Sequence, residues 1–143
     1  MFDKPLVRDF MTTKIRSLTP DMPVMQAIDL LLKYEISGAP VLEGGVLVGV
    51  ISEKDCLMLL TQGEAGTQPQ TKVRDVMSKN VATLPVHVDV YYAAGKFLAN
   101  AFRRFPVVDA DGKCVGVISR RDVLKAIQKM RKKPATGRLT RPV

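Results

Sequence analysis

Val48-Gly49-Val50-Ile51-Ser52-Glu53-Lys54-Asp55 is answered in the second half of the chain by Val115-Gly116-Val117-Ile118-Ser119-Arg120-Arg121-Asp122. Upstream, Pro40-Val41 returns as Pro106-Val107, and Val7-Arg8-Asp9-Phe10-Met11 returns as Val73-Arg74-Asp75-Val76-Met77. The matches keep their order and nearly their spacing, with one extra residue near Ala110-Asp111. A unit this long is not a solenoid rung, and two copies fall short of the ~3 that repeat arrays need. Two similar halves that pack on each other are the simpler reading. Their junction is expected to hold two related clefts.

The chain has 143 residues, 46% of them hydrophobic and 25% charged. That describes one compact soluble domain or two small intertwined ones. A lone half of about 55 residues would have a marginal core, so packing between halves should matter energetically. The expected division is a first repeat over 1–61, a linker over 62–71, a second repeat over 72–130 and a basic, disordered tail over 131–143. No apolar run approaches the ~20 residues of a membrane span. The segment Met1-Phe2-Asp3-Lys4-Pro5 does not read as a secretory leader. Cys56 and Cys114 fall at unlike repeat positions inside apolar patterns, so buried free thiols and a reducing, cytoplasmic setting are expected. The formal charge is +8, and removing the bases at 129, 131, 132, 133, 138 and 141 leaves +2. The basicity thus belongs mostly to the tail. Such a tail either attracts nucleic acid, acidic lipid or acidic protein, or is a solvated, frayed end.

Each repeat reads as strand, helix, strand, strand, helix. Ile15–Leu18 and Val81–Leu84 alternate as short half-buried strands do. Val24, Ala27, Ile28, Leu31 and Leu32 mark one face of a helix, and Val90, Ala93, Ala94, Phe97 and Leu98 repeat it. Asp21 can cap the first of these helices, with Pro23 in its opening turn, and His87 or Asp89 the second. Gly95 either weakens its helix or marks a close approach. Ala39–Leu42 with Val46–Ile51, and Phe105–Val108 with Lys113–Ile118, should form hairpins. Gly49 and Gly116 lie inside the return strands, where a missing side chain admits a neighbour. Met11 and Met77 should plug the core. In the last helices, Cys56, Leu57 and Leu60, and Val123, Leu124, Ile127 and Met130, form apolar stripes. Pro134 should stop the final helix.

The chemistry centres on Ser52–Asp55 and Ser119–Asp122. A serine followed three residues later by an acid is a capping box and needs no ligand. Yet each pair also sits where a strand ends and a helix begins, so free N–H groups and the positive helix end face one spot. Serine and those N–H groups could meet a phosphate, while the carboxylate accepts from two vicinal hydroxyls, as ribose offers. A planar base could then slide against Ile36, Val41 and Ile51 in one copy, and Phe102, Val107 and Ile118 in the other.

The ordered set Val-Arg-Asp-x-Met, then Ser17 or Thr83, then Pro-Val, then Val-Gly-Val-Ile-Ser-x-x-Asp resembles a cystathionine-beta-synthase (CBS) domain. Two in tandem resemble a Bateman module, over Val7 to about Met130. The resemblance implies an α+β fold of two β-α-β-β-α repeats with pseudo-twofold symmetry. It also implies a regulatory binding module rather than an enzyme. Such pairs bind AMP, ADP, ATP or S-adenosylmethionine between repeats and often dimerise. By position, the first cleft would use Ser17, Ile36, the backbone of Ser37-Gly38-Ala39, Pro40, Ser52 and Asp55. The second would use Thr83, Phe102, the backbone of Arg103-Arg104-Phe105, Pro106, Ser119 and Asp122. Arg103 and Arg104 could reach phosphates of the Asp55 cleft or be plain surface charge. Arg120 and Arg121, against Glu53 and Lys54, make the second cleft more cationic. Ser37-Gly38-Ala39 is small, whereas Phe102-Arg103-Arg104-Phe105 is bulky, so unequal occupancy is expected, with the Asp55 cleft admitting the adenine.

Other chemistry finds little support. His87 is the lone histidine, with no Cys-x-x-Cys beside it, so neither a metal site nor a serine-histidine-aspartate set is indicated. The expected function is a sensor of an adenosine-containing ligand, acting as a regulatory ligand rather than a cofactor, that reports to an unidentified partner protein, in a homodimer. The alternatives are a scaffold with degenerate clefts and a weak nucleic-acid binder using the tail.

Overall fold

The computed structural model describes residues 4–63, 68 and 70–131. The 131–143 tail beyond Arg131, Pro134 with it, and part of the 62–71 linker lie outside the described residues. The first repeat contains α1 (Val7–Phe10), α2 (Val24–Lys33), β1 (Gly38–Glu43), β2 (Val46–Ser52) and α3 (Glu53–Thr61). The second contains α4 (Val73–Val76), β3 (Leu84–Pro85), α5 (Val90–Ala99), β4 (Arg104–Val108), β5 (Cys114–Ser119) and α6 (Arg120–Arg131).

The repeated Val-Arg-Asp-x-Met is a single helical turn, which the periodicity of so short a segment could not announce. Its aspartate makes the turn: Asp9 Oδ2 accepts from the Leu6 N–H at 3.1 Å, and Asp75 Oδ2 from the Lys72 N–H at 2.9 Å. Val7 and Val73 are fully buried, each in the other repeat's core. Val7 joins Leu84, Ala93, Phe97, Phe105, Val107 and Ile118. Val73 joins Leu18, Ala27, Leu31, Val41 and Ile51. The leading segments are therefore exchanged between halves.

Backbone bonds fix that exchange with twofold regularity. The Val7 and Val90 N–H groups donate to the Val88 and Pro5 carbonyls, as those of Val73 and Val24 donate to Met22 and Thr71. Thr12 pairs with Val117, and Ser78 with Val50. The hairpins also touch, with the Leu47 N–H donating to Gly112 and the Cys114 N–H to Gly45. The expected need for the strand glycines is met here. A Cβ at Gly49 would lie 2.6 Å from Met77 Sδ, and one at Gly116 2.5 Å from Met11 Sδ. Each methionine thus plugs the opposite sheet.

Both hairpins form as expected, β1 with β2 and β4 with β5, antiparallel and each with a register shift before its end. Gly44 and Gly45, with φ of 58° and 83°, supply the left-handed turn of the first hairpin. Gly95 is near nothing within 4 Å, so no close approach explains it.

Four expectations need correction. The strand over Ile15–Leu18 is only a bridge from Leu18 to Val41, whereas Leu84–Pro85 pairs in parallel with Val107 and Val108. Val86 donates to the Val108 carbonyl, but its counterpart Pro20 has no N–H to give. Asp21 does not cap α2, whose N-cap is Pro23. It accepts instead from Arg74 Nη2 at 2.6 Å and Nε at 2.9 Å, tying the two repeats together. In the second copy Asp89 is the cap, accepting from the Tyr92 N–H, and His87 is not. The cysteines are free but only half-buried; burial is the first cause that pushes both thiols up. The apolar stripes of the last helices are largely outside: Leu57, Leu60, Leu124 and Ile127 are exposed, while Leu59, Val123 and Ala126 are buried.

Exchange makes a specific expectation about local stability. Val7→Ala should cost about 2 kcal/mol through lost burial and a cavity. It should also loosen the second repeat first. Hydrogen exchange should speed up more at Phe105–Ile118 than at Ala39–Ile51, and Val73→Ala should reverse the order. Loosening of the first repeat by Val7→Ala would contradict the exchanged core.

Candidate functional site

The start of β1 places the expected first-cleft residues side by side. Gly38 pairs with Ser52 and Ala39 with Ile51, while the Ser37 carbonyl accepts from the Glu53 N–H at 2.9 Å. A Cβ on Gly38 would lie 2.9 Å from the Ile51 carbonyl oxygen, so only glycine lets these strands close here. The result brings Ser37 and Gly38 against the first turn of α3, where Ser52 and Asp55 stand.

The serine and aspartate form a complete capping box. Asp55 Oδ2 accepts from the Ser52 N–H and from Ser52 Oγ, each at 2.9 Å, and Ser52 Oγ accepts from the Asp55 N–H at 3.1 Å. Asp55 Oδ1 accepts from Ser78 Oγ at 2.9 Å. Ser78 belongs to the leading segment of the other repeat. Three of the roughly four acceptor positions of this half-buried carboxylate are therefore used.

The second box differs. Asp122 Oδ2 accepts from the Ser119 N–H at 2.8 Å, and Ser119 Oγ from the Asp122 N–H at 3.2 Å. Asp122 is 8% exposed, and its Oδ1 lies 3.9 Å from Lys125 Nζ. Nearby, the Arg120 N–H donates to the Arg103 carbonyl at 3.3 Å and Arg120 Nε to the Phe102 carbonyl at 3.2 Å. Arg120 thereby lies over the backbone that the second cleft would offer. Arg103, Arg104 and Arg121 are exposed. Phe105 is fully buried against Phe97, with ring centroids 4.7 Å apart, and Phe102 meets its edge at 5.8 Å. Phe105 can offer backbone but no side chain. Pro40 and Pro106 are likewise buried, and Thr83 is half-buried.

A cavity of about 240 Å³ opens beside the first repeat, lined by Ile15, Arg16, Ser17, Leu18, Leu30, Leu31, Tyr34, Ile36 and Ala39. Of the residues expected to share the first cleft, Ser17, Ile36 and Ala39 line this cavity, and Ser52 and Asp55 lie outside its lining. The base-stacking surface expected of Val41, Ile51, Val107 and Ile118 does not exist, because all four are fully buried core residues. Ile15, Leu30 and Leu31 line the cavity instead, with Ile36. Arg16 and Tyr34 also line it, outside every motif of the sequence. Their only sequence signal is that the second copy has Ala82 and Asn100 at the matching positions.

No helix among the described residues is long and apolar enough to cross a membrane. The CBS domain model matches residues 7–62 and 73–129. The chain is 30% identical over 135 residues to the CBS domain-containing protein YhcV of Bacillus subtilis, covering 94% of this chain and 92% of that one. It is 33% identical over 124 residues to the inosine-5'-monophosphate dehydrogenase of Methanocaldococcus jannaschii, covering 86% of this chain but only 23% of that enzyme. Among solved structures, CBSX2 in complex with AMP matches with a TM-score of 0.79 and 32% identity, over 90% of this chain and 99% of that one. The CBS domain pair of protein MJ0100, in complex with 5-methylthioadenosine and S-adenosyl-L-methionine, matches with a TM-score of 0.71 and 26% identity, over 85% and 98%.

The capping role of Asp55 is separable from any ligand. Asp55→Ala should lower the free energy of unfolding by about 1–2 kcal/mol, as lost caps do, and Asp55→Asn, which keeps an acceptor, should cost less. Denaturant melts without ligand read this; an unaltered midpoint for Asp55→Ala would show the box to be energetically idle. The repeated leading turns, exchanged cores, twin hairpins and matched family model together make this chain a member of the CBS domain family, as a tandem pair.

Proposed function

We propose that the chain is a regulatory module that binds an adenosine-containing ligand at the first-repeat cleft and acts by binding rather than by catalysis. The observation that carries this reading is the cavity at Ser17, Ile36 and Ala39. Its Ala39 is one residue along β1 from the Gly38–Ser52 pair, and Ser52 opens the helix that carries Asp55. Its apolar walls suit a planar base, and a carboxylate such as Asp55, beyond the lining at the start of α3, suits ribose hydroxyls. The AMP complex of CBSX2 and the S-adenosylmethionine complex of MJ0100 support the ligand class. The Asp122 cleft is the poorer host, since Phe102 and Arg120 crowd its approach and Lys125 faces its carboxylate. Arg103 and Arg104 remain candidates for phosphates held near Asp55. Thiols kept protonated and free fit a reducing cytoplasm.

A thermal-shift panel of nucleotide-free protein with AMP, ADP, ATP and S-adenosylmethionine tests this. Ligand at ~100 times its dissociation constant should stabilise the fold by about 2.7 kcal/mol. Asp55→Ala should abolish the shift, and Asp122→Ala should leave most of it. No shift with any of the four at millimolar concentration would favour the scaffold with degenerate clefts.

The output of such a module passes through an assembly, and the surface favours a second copy. Leu57 and Leu60 on α3 are 65% and 73% exposed, and their repeat counterparts Leu124 and Ile127 on α6 are 62% and 51% exposed. Leu32 on α2 and Leu98 on α5 form another matched exposed pair. An exposed apolar patch that meets the same patch of a second copy across a twofold axis makes a self-complementary contact. Sedimentation equilibrium should give twice the 15.8 kDa chain mass. The double variant Leu57→Glu/Leu124→Glu should give a folded monomer. A monomeric wild-type chain would remove the dimer from this proposal.

A further inference from the structure

We infer that Arg16, held flat on Tyr34, makes the first cleft selective for adenosine 5'-phosphates over neutral adenosine and over the sulfonium cation of S-adenosylmethionine. The inference rests on the adenosine reading of that cleft and goes beyond it to ligand class. The Arg16 guanidinium carbon lies 4.0 Å from the centroid of the Tyr34 ring, and Lys33 Nζ lies 5.4 Å from the same ring. Stacking fixes the plane of a guanidinium while leaving its N–H edge free to donate. Arg16 is exposed and makes no ion pair among the described residues. It is also the sole charged group in the lining of the cavity. Glu35, the acid next in sequence to Tyr34, has a left-handed backbone at φ 53° and lies outside that lining.

Size gives the same direction. At about 240 Å³ the cavity falls below the ~300–1,000 Å³ of pockets that enclose a whole drug-sized ligand. A base fills it, and the rest of the ligand emerges at the rim, where an unpaired, preoriented cation waits. A phosphate there gains charge-assisted hydrogen bonds; a sulfonium meets like charge. The second repeat has no such device, because Ala82 and Asn100 stand at the positions of Arg16 and Tyr34.

Calorimetric titration of the nucleotide-free full chain with adenosine, AMP and S-adenosylmethionine reads this directly. AMP should bind at least about tenfold more tightly than adenosine at low salt, with the margin narrowing as salt rises. In Arg16→Ala that margin should fall to about threefold or less, while measurable adenosine binding reports an intact cleft. Arg16→Lys should restore part of the margin, since it keeps the charge but not the planar fork. An AMP-to-adenosine ratio unmoved by Arg16→Ala overturns the role of Arg16 and leaves the adenosine cleft standing. So does wild-type S-adenosylmethionine affinity equal to that for AMP. No binding of adenosine or AMP by the wild-type chain overturns both readings together.

Discussion

The insertion of one methionine from each repeat into a glycine notch of the other sheet is the contact on which this structure depends. Met77 sits over Gly49 and Met11 over Gly116, at distances that leave no room for a Cβ. A neighbouring valine, Val73 or Val7, completes the opposite core, and a backbone bridge, Ser78 with Val50 or Thr12 with Val117, locks the register. Neither half owns a finished core. A repeat of this size would be marginal alone, and the exchange converts two marginal cores into one cooperative unit. It also explains why the Val-Arg-Asp-x-Met turn recurs so faithfully: valine fills, aspartate closes the turn, methionine plugs.

That constraint sets what each cleft can be. Because the leading segment of one repeat crosses the other's return strand, its next residue lands beside the helix start that follows. Ser78 therefore reaches Asp55. The two clefts share a backbone plan but not side chains. Arg16, Tyr34 and small residues at Ser37-Gly38-Ala39 surround the first. Ala82, Asn100 and the Phe102-Arg103-Arg104-Phe105 run stand at the matching positions of the second repeat. The repeats share a frame and differ in the side chains at these positions.

Much of this was legible because the chain can be compared with itself. Internal repetition exposed the hairpins, the glycine notches, the methionine plugs and the serine–aspartate boxes, all of which depend on residue type at a matched place. Features that depend on what lies across space were not legible. Val41 and Ile51 look like cleft walls in sequence, but apolar residues on a strand do not declare which face is core. The outward-facing leucines of α3 and α6 mislead in the same way. Asp21 looked like a cap because it precedes a helix; its partner Arg74 lies in the other repeat, beyond any local pattern. Pro20 in place of Val86 could have revealed the shortened first strand, since a missing N–H is written in the residue itself.

The carboxylate of Asp55 joins the cleft to the frame. Its Oδ2 is occupied by Ser52 and one position of Oδ1 by Ser78. A vicinal diol would need two acceptor positions where about one is left, so one serine hydroxyl would have to turn away to admit it. If Ser52 turns, the change stays within the first turn of α3, and the N–H to Oδ2 bond still holds the helix start. If Ser78 turns, the change is felt in the segment that carries Met77 into the Gly49 notch. A ligand held by Asp55 would then draw on the same carboxylate as Ser78 of the other repeat, and it would bias the packing between repeats only as far as its affinity differed between two arrangements. A difference of that kind is what any binding event must have to bias one arrangement over another.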